Sequence, residues 1–125
     1  MENTKHPTFG NGKICYLEIP SADPKASANF YQTVFGWSVR DDNDGQLSFD
    51  DGVMEVSGTW VTGVKPASEA GIVISIMVSD IYATIALIEK NGGAIVLPVD
   101  ESISQKFARF TDPYGNILGL YQHKM

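Results

Sequence analysis

A chain of 125 residues with a net charge of -6 has room for one compact domain, or for two small modules sharing a core. Phosphate recognition needs clustered Lys and Arg, and their absence argues against nucleic acid as a partner. The single cysteine, Cys15, excludes an internal disulfide, and no apolar run is long enough to cross a bilayer or form a signal-peptide core; the expectation is a cytoplasmic protein with no membrane partner.

In chain order, residues 1–12 are polar, contain Pro7, Gly10 and Gly12, and read as a loosely held lead-in with an exposed His6. Residues 13–20 alternate as a strand, with Tyr16 and Glu18 on one face and Cys15, Leu17 and Ile19 on the other. Asp23-Pro24 starts a helix, since Asp caps and Pro suits the first helical position. Ala26, Phe30 and Val34 form its apolar row, and Gly36 stops it. Residues 37–40, 46–49 and 53–62 read as strands, the first two joined by the acidic turn 41–45 and the last interrupted by Gly58. Residues 63–70 are the linker. Residues 72–78 are a β-prone strand, and Asp80 caps a second helix carrying Ile81, Ile85 and Ile88, stopped by Asn91-Gly92-Gly93. Strands follow over 94–99, 105–111 and 116–123. Asp112-Pro113-Tyr114-Gly115-Asn116 makes a tight turn between the last two, with a shorter echo at Asp50-Asp51-Gly52.

The order strand, helix, three strands therefore occurs twice, over 13–62 and 71–125. Aligning Asp23 with Asp80 also aligns Gly36 with Gly93, and Leu17 and Ile19 with Ile74 and Ile76. The fold class is α+β: two βαβββ modules whose mixed sheets curl around a cavity. Cys15, Leu17, Ile19, Ile72, Ile74 and Ile76 are expected under the helices. The opposite face, with Tyr16, Glu18, Val73, Ser75 and Met77, suits a cavity wall better than a dry core.

Asp23 followed by Phe30-Tyr31, then Val34-Phe35-Gly36-Trp37, then Phe110-Thr111-Asp112-Pro113-Tyr114-Gly115-Asn116, together resemble the vicinal oxygen chelate superfamily. This is the glyoxalase, bleomycin-resistance and extradiol-dioxygenase group, and the resemblance spans residues 13–122. It implies paired βαβββ modules, frequent homodimers, and a divalent metal held by His, Gln or Glu on the first and last strands of each module. Carried onto this chain, the first-strand positions fall on Tyr16 and Val73. The last-strand position after the Gly-Asn turn falls on Gly119, with Glu55 or Val56 as its counterpart in the first module. Val73 and Gly119 have no donor, and a phenol must lose a proton of pKa about 10 to ligate.

The resemblance thus implies the fold more than the chemistry. The main expectation is a small-molecule-binding protein of this group with no cofactor, its ligand lined by Tyr16, Glu18, Trp60, Ser75 and Tyr121. Trp60 and Tyr121 are placed there because both lie on last strands. Glu18 is either a carboxylate of raised pKa that acts as general base or binds an amine, or one hydrogen-bonded to a neighbouring strand or to Arg40 or Arg109. The alternative is a metal-dependent lyase, isomerase or dioxygenase with displaced ligands Glu18, Glu55 and His123. A third reading is a structural or sensing dimer with a filled cavity.

Overall fold

The computed structural model describes residues 6–41, 45–69 and 71–123. Most of the acidic turn expected at 41–45 (residues 42–44), the start of the lead-in and residue 70 of the linker lie outside these. The chain divides into two compact units between Val64 and Lys65.

Unit 1 contains β1 (Tyr16–Pro20), α1 (Pro24–Phe35), β2 (Ser38–Asp41), β3 (Leu47–Asp50) and β4 (Ser57–Val61). Its sheet has the order β1-β4-β3-β2, with β1 and β4 parallel and the other pairs antiparallel. The Asp23 side chain accepts from the Ala26 backbone N–H at 3.2 Å, satisfying a donor that the first turn would otherwise leave open. Gly36 ends α1 at φ 72, a left-handed conformation that glycine adopts without strain.

The helix packs on one face of the sheet through aromatic rings. Tyr31 stacks on Trp37 with centroids 4.7 Å apart, Trp37 stacks on Phe49 at 4.5 Å, and Phe49 lies 4.8 Å from Trp60. All four are buried, and aromatic packing of this kind adds about 0.5–1.5 kcal/mol per pair beyond area burial. Gly58 lies under the Phe49 ring. A Cβ there would fall 2.4 Å from Phe49 Cζ and 2.3 Å from the Leu17 carbonyl oxygen.

Unit 2 repeats the plan with β5 (Ser75–Val78), α2 (Ile81–Lys90), β6 (Ala94–Leu97), β7 (Phe107–Thr111) and β8 (Ile117–Gln122), in the order β5-β8-β7-β6. Asp80 caps α2 through Ala83 N at 3.1 Å, and Gln122 Oε1 on β8 accepts from Ile81 N at 2.9 Å. Ile81, Thr84 and Ile88 are the buried residues of α2; Ile85, expected in that row, is only partly covered. With Ile81 and Ile88, the buried residues Val78, Leu120, Leu118, Ala108 and Phe110 make up the apolar core of this unit.

The Asp112 turn is a buried polar knot. Asp112 Oδ1 accepts from the backbone N–H of Tyr114 (2.9 Å) and Asn116 (3.0 Å), and Oδ2 accepts from Asn116 Nδ2 (2.9 Å). Asn116 Oδ1 in turn accepts from Ala67 N at 2.9 Å, which pins the linker to the turn. Residues equidistant from Tyr114 then face each other across β7 and β8, including Arg109 and Gly119.

Several sequence expectations need correction. Regular pairing begins at Tyr16 and Ser75, not at 13 and 72. Cys15 and Ile72 therefore precede their strands, and Ile72 is 96% exposed. The described part of the lead-in is held rather than loose: His6 and Thr8, with Lys13 after it, all bond to Glu55. Residues 53–56 are a turn rather than the start of a strand. Asp51 N donates to Val56 O, Met54 N donates to Asp51 O, and Asp51 Oδ1 accepts from Glu55 N. This is the Asp112 turn with one residue more between the closing partners, because Asp112 N donates to Asn116 O.

Met54 occupies the place of Gly115 in that comparison. Its φ is 61, against 90 for Gly115, and it is the non-glycine residue with a positive φ among those described. A left-handed residue with a Cβ costs about 1–2 kcal/mol, and the Met54 side chain is half exposed, so it recovers little by burial. Met54→Gly is therefore expected to stabilise unit 1 by about 0.5–1 kcal/mol after the extra entropy of glycine in the unfolded chain. Urea denaturation followed by tryptophan fluorescence measures it; a loss of stability would contradict this reading of the turn.

Candidate functional site

Each sheet has a helix-covered face and an open face. Strand register sets which residues share the open one, since directly paired residues point the same way. In unit 1 the open face consists of two rows, Glu18–Thr59–Ser48–Arg40 and Tyr16–Ser57–Asp50–Ser38. Three of its donor side chains, Arg40, Ser57 and Thr59, are already committed. Arg40 donates to both oxygens of Asp50 (2.9 and 3.2 Å), Ser57 Oγ donates to Asp50 Oδ1 (2.7 Å), and Thr59 Oγ1 donates to Leu47 O (2.5 Å). The Ser57 and Arg40 hydrogen bonds hold the Asp50 carboxyl below its usual pKa against some desolvation. Glu18 is exposed and receives none of these donors, and Arg40, one of its two expected partners, is bound to Asp50.

In unit 2 the open face carries the rows Ser75–Gly119–Arg109–Leu97 and Met77–Tyr121–Phe107. Met77, Tyr121, Phe107 and Leu97 are all partly exposed there, a much more apolar surface than that of unit 1. Gly119 leaves a gap in the middle of the face. A Cβ built on it would fall 2.4 Å from Ser75 Oγ, so the serine hydroxyl occupies the space a side chain on β8 would need.

Of the five expected lining residues, Tyr16 and Glu18 lie on the open face of unit 1, and Ser75 and Tyr121 on that of unit 2. Trp60 does not. It pairs with Ile19 on the helix-covered face and is 1% exposed among Tyr31 and Phe49. The reason is the extra residue in the Asp51 turn. Ile19 pairs with Trp60 as Ile76 pairs with Leu120, so Trp60 is the counterpart of Leu120, and Val61 that of Tyr121. An offset of one residue turns a strand side chain to the other face. By the same register Thr59, not Glu55 or Val56, is the counterpart of Gly119.

A divalent ion needs several nitrogen or oxygen donors converging at about 2 Å. The first- and last-strand positions here supply Tyr16, Val73, Thr59 and Gly119, and the Thr59 hydroxyl is already committed to Leu47 and Gln46. Among the described residues no three of His, Cys, Asp and Glu gather where they would hold a metal. The residues present do not fit the group that this fold commonly carries.

The displaced set fares no better. Glu55 Oε1 accepts from Thr8 N (3.0 Å) and Lys13 Nζ (3.1 Å), and Oε2 from His6 Nδ1 (2.5 Å) and Thr8 Oγ1 (3.1 Å). This carboxylate fastens the lead-in. His123 follows the end of β8, its backbone N–H bonded to Val78 O and its ring 6.4 Å from that of Tyr121.

Sequence reasoning missed Phe107, placed no ligand contact on Met77, and treated Arg109 only as a partner for Glu18. The signal was available in the turn, because a hairpin centred on Tyr114 fixes Arg109 opposite Gly119 and Phe107 opposite Tyr121.

The profile of the Glyoxalase/Bleomycin resistance protein/Dioxygenase superfamily matches residues 13–120. A glyoxylase-like domain-containing protein of Didymella fabae is 30% identical over 97 residues, 66% of this chain and 70% of its own length. Among solved structures, the antibiotic-binding protein TnmS3 of Streptomyces superposes with a TM-score of 0.68 at 22% identity, covering 92% of this chain and 98% of its own. The fosfomycin resistance protein FosX of Mesorhizobium loti superposes at 0.72 with 13% identity, over 94% and 96%. At these identities the structural likenesses establish the fold. Among the described residues no helix is long and apolar enough to cross a membrane.

The Glu55 clasp and the close approach of Ser75 to Gly119 each have a measurable consequence. The four donors, led by His6, lower the Glu55 pKa from its ordinary 4.5 to about 2. The folded state therefore binds fewer protons than the unfolded chain. The clasp contributes stability fully above about pH 4.5 and loses it as pH falls through about 2. Protection of the Thr8 amide from hydrogen exchange should fall over that window, and Glu55→Gln should remove both the protection and its pH dependence. The second concerns Gly119 and Ser75. Gly119→Ala should be less stable than Ser75→Ala/Gly119→Ala by about 1 kcal/mol, since removing Oγ opens the space the new methyl needs. Strict additivity of the two substitutions in a double-mutant cycle would show that the close approach has no energetic weight.

Proposed function

Because the chain belongs to the glyoxalase/bleomycin resistance protein/dioxygenase superfamily, we propose that it binds a small amphipathic molecule directly, without a resident metal. The observation that carries this reading is the open face of unit 2. At the position where a metal-binding relative is expected to present a carboxylate, this chain has Gly119. Around it stand Met77, Tyr121, Phe107 and Leu97, side chains suited to a flat apolar body. Ser75 offers a hydroxyl at the floor. The antibiotic-binding relative of similar fold supports a binding role for this architecture.

Metal analysis of the native protein, purified without chelators, is expected to find far less than one divalent ion per chain. Titration with 2-naphthylmethanol, a neutral aromatic probe, is expected to shift the NMR signals of the Met77 methyl and the Tyr121 ring and to leave those of Met54 unmoved. One tightly held ion per chain, or a probe that shifts no signal on the open faces, would overturn this reading.

A further inference from the structure

The proposed binding reading leaves the charge of the ligand open, and Arg109 addresses it. Arg109 lies on β7, directly across from Gly119 on β8, and Gly119 lies directly across from Ser75 on β5. Three adjacent strands thus present a guanidinium, a bare backbone and a hydroxyl in one row. Gly119 puts no side chain between the outer two, but Ser75 Oγ leans over it, 2.4 Å from where a Cβ would stand, so the row is a notch with the hydroxyl over the glycine and the guanidinium position beside it.

The charge in that notch is uncompensated. Arg109 is exposed and has no ion-pair or hydrogen-bond partner among the described residues. The acids near it in sequence are engaged elsewhere. Glu101 accepts from Tyr82 Oη at 2.5 Å and pairs with Lys106 at 3.6 Å. Asp112 is buried in the turn, where it accepts from Tyr114 and Asn116. Ser75 Oγ points over Gly119 and donates to nothing else described. Flanking the notch on the same face are the rings of Phe107 and Tyr121 and the thioether of Met77.

We infer that this notch is an oxyanion subsite: Arg109 and Ser75 receive a carboxylate or phosphonate group of the ligand over Gly119, while Phe107, Tyr121 and Met77 hold its apolar body. The inference rests on the small-molecule reading above. Guanidinium matches a planar oxyanion with two parallel N–H donors, and the adjacent apolar surface lowers the local dielectric and strengthens the pair. Glycine at 119 has a role in this arrangement beyond avoiding Ser75. An acidic side chain there would stand beside Arg109 and consume its charge.

The test uses three probes with one naphthalene body: 2-naphthoate, 2-naphthylmethanol and 2-naphthylmethylammonium, titrated by calorimetry or NMR into the full chain. Naphthoate is expected to bind about ten-fold more tightly than the alcohol, and the ammonium more weakly than either. Naphthylphosphonate in place of naphthoate separates a carboxylate preference from a tetrahedral-oxyanion preference. Arg109→Gln, an exposed and structurally mild change, should bring naphthoate down to about the affinity of the alcohol and shift the alcohol far less than naphthoate. Rising salt should weaken naphthoate alone. Equal affinity for all three probes, preference for the ammonium, or an unaltered preference in Arg109→Gln overturns the subsite while the binding reading stands. Failure of the neutral alcohol and both anions to bind overturns the binding reading and the subsite with it.

Discussion

The buried Asp112–Asn116 knot is the constraint on which unit 2 depends. Its carboxylate accepts from the part-buried Tyr114 N–H and from the buried Asn116 N–H and side-chain amide, and a buried group left unpaired costs about 1–3 kcal/mol. The knot also decides alignment. It centres the β7–β8 hairpin on Tyr114, and β5 then pairs in parallel with β8. On the open face, Arg109 beside Gly119 and Phe107 beside Tyr121 both descend from that one turn. The linker is drawn in too, because Asn116 holds Ala67.

Unit 1 solves the same problem with a less economical turn. Asp51 plays the part of Asp112, but the loop it closes holds one more residue and puts Met54 into the left-handed position that Gly115 fills in unit 2. What unit 1 lacks in turn quality it makes up in aromatic packing, with Tyr31, Trp37, Phe49 and Trp60 joined ring to ring under α1. The two halves have accordingly diverged in chemistry. One open face is hydroxyl-rich and internally hydrogen-bonded, the other apolar with an uncommitted arginine.

Much of the fold was legible in the sequence because its signals are local. Asp23-Pro24, Gly36, Asp80 and Asn91-Gly92 each act through one or two hydrogen bonds or one dihedral, and each marks the element end it was expected to mark. The repeat of strand, helix and three strands was legible for the same reason. The site was only partly legible, since it depends on parity, and parity accumulates errors along the chain. One additional residue in the Asp51 turn moved Trp60 from the open face to the core, while Tyr16, Glu18, Ser75 and Tyr121 kept their places. The Glu55 clasp was hidden because it joins a segment without periodicity to a turn more than 40 residues away.

Cys15 gains a use from this arrangement. It is the only thiol of the chain, it is exposed, and it immediately precedes Tyr16 at the edge strand of the unit 1 sheet, where its carbonyl accepts from Ser57 N. A maleimide fluorophore or spin label would attach there alone, with no engineered residue. It would sit beside the open face while leaving the buried ring stack and the Asp112 knot untouched, so the wild-type protein carries its own reporter position.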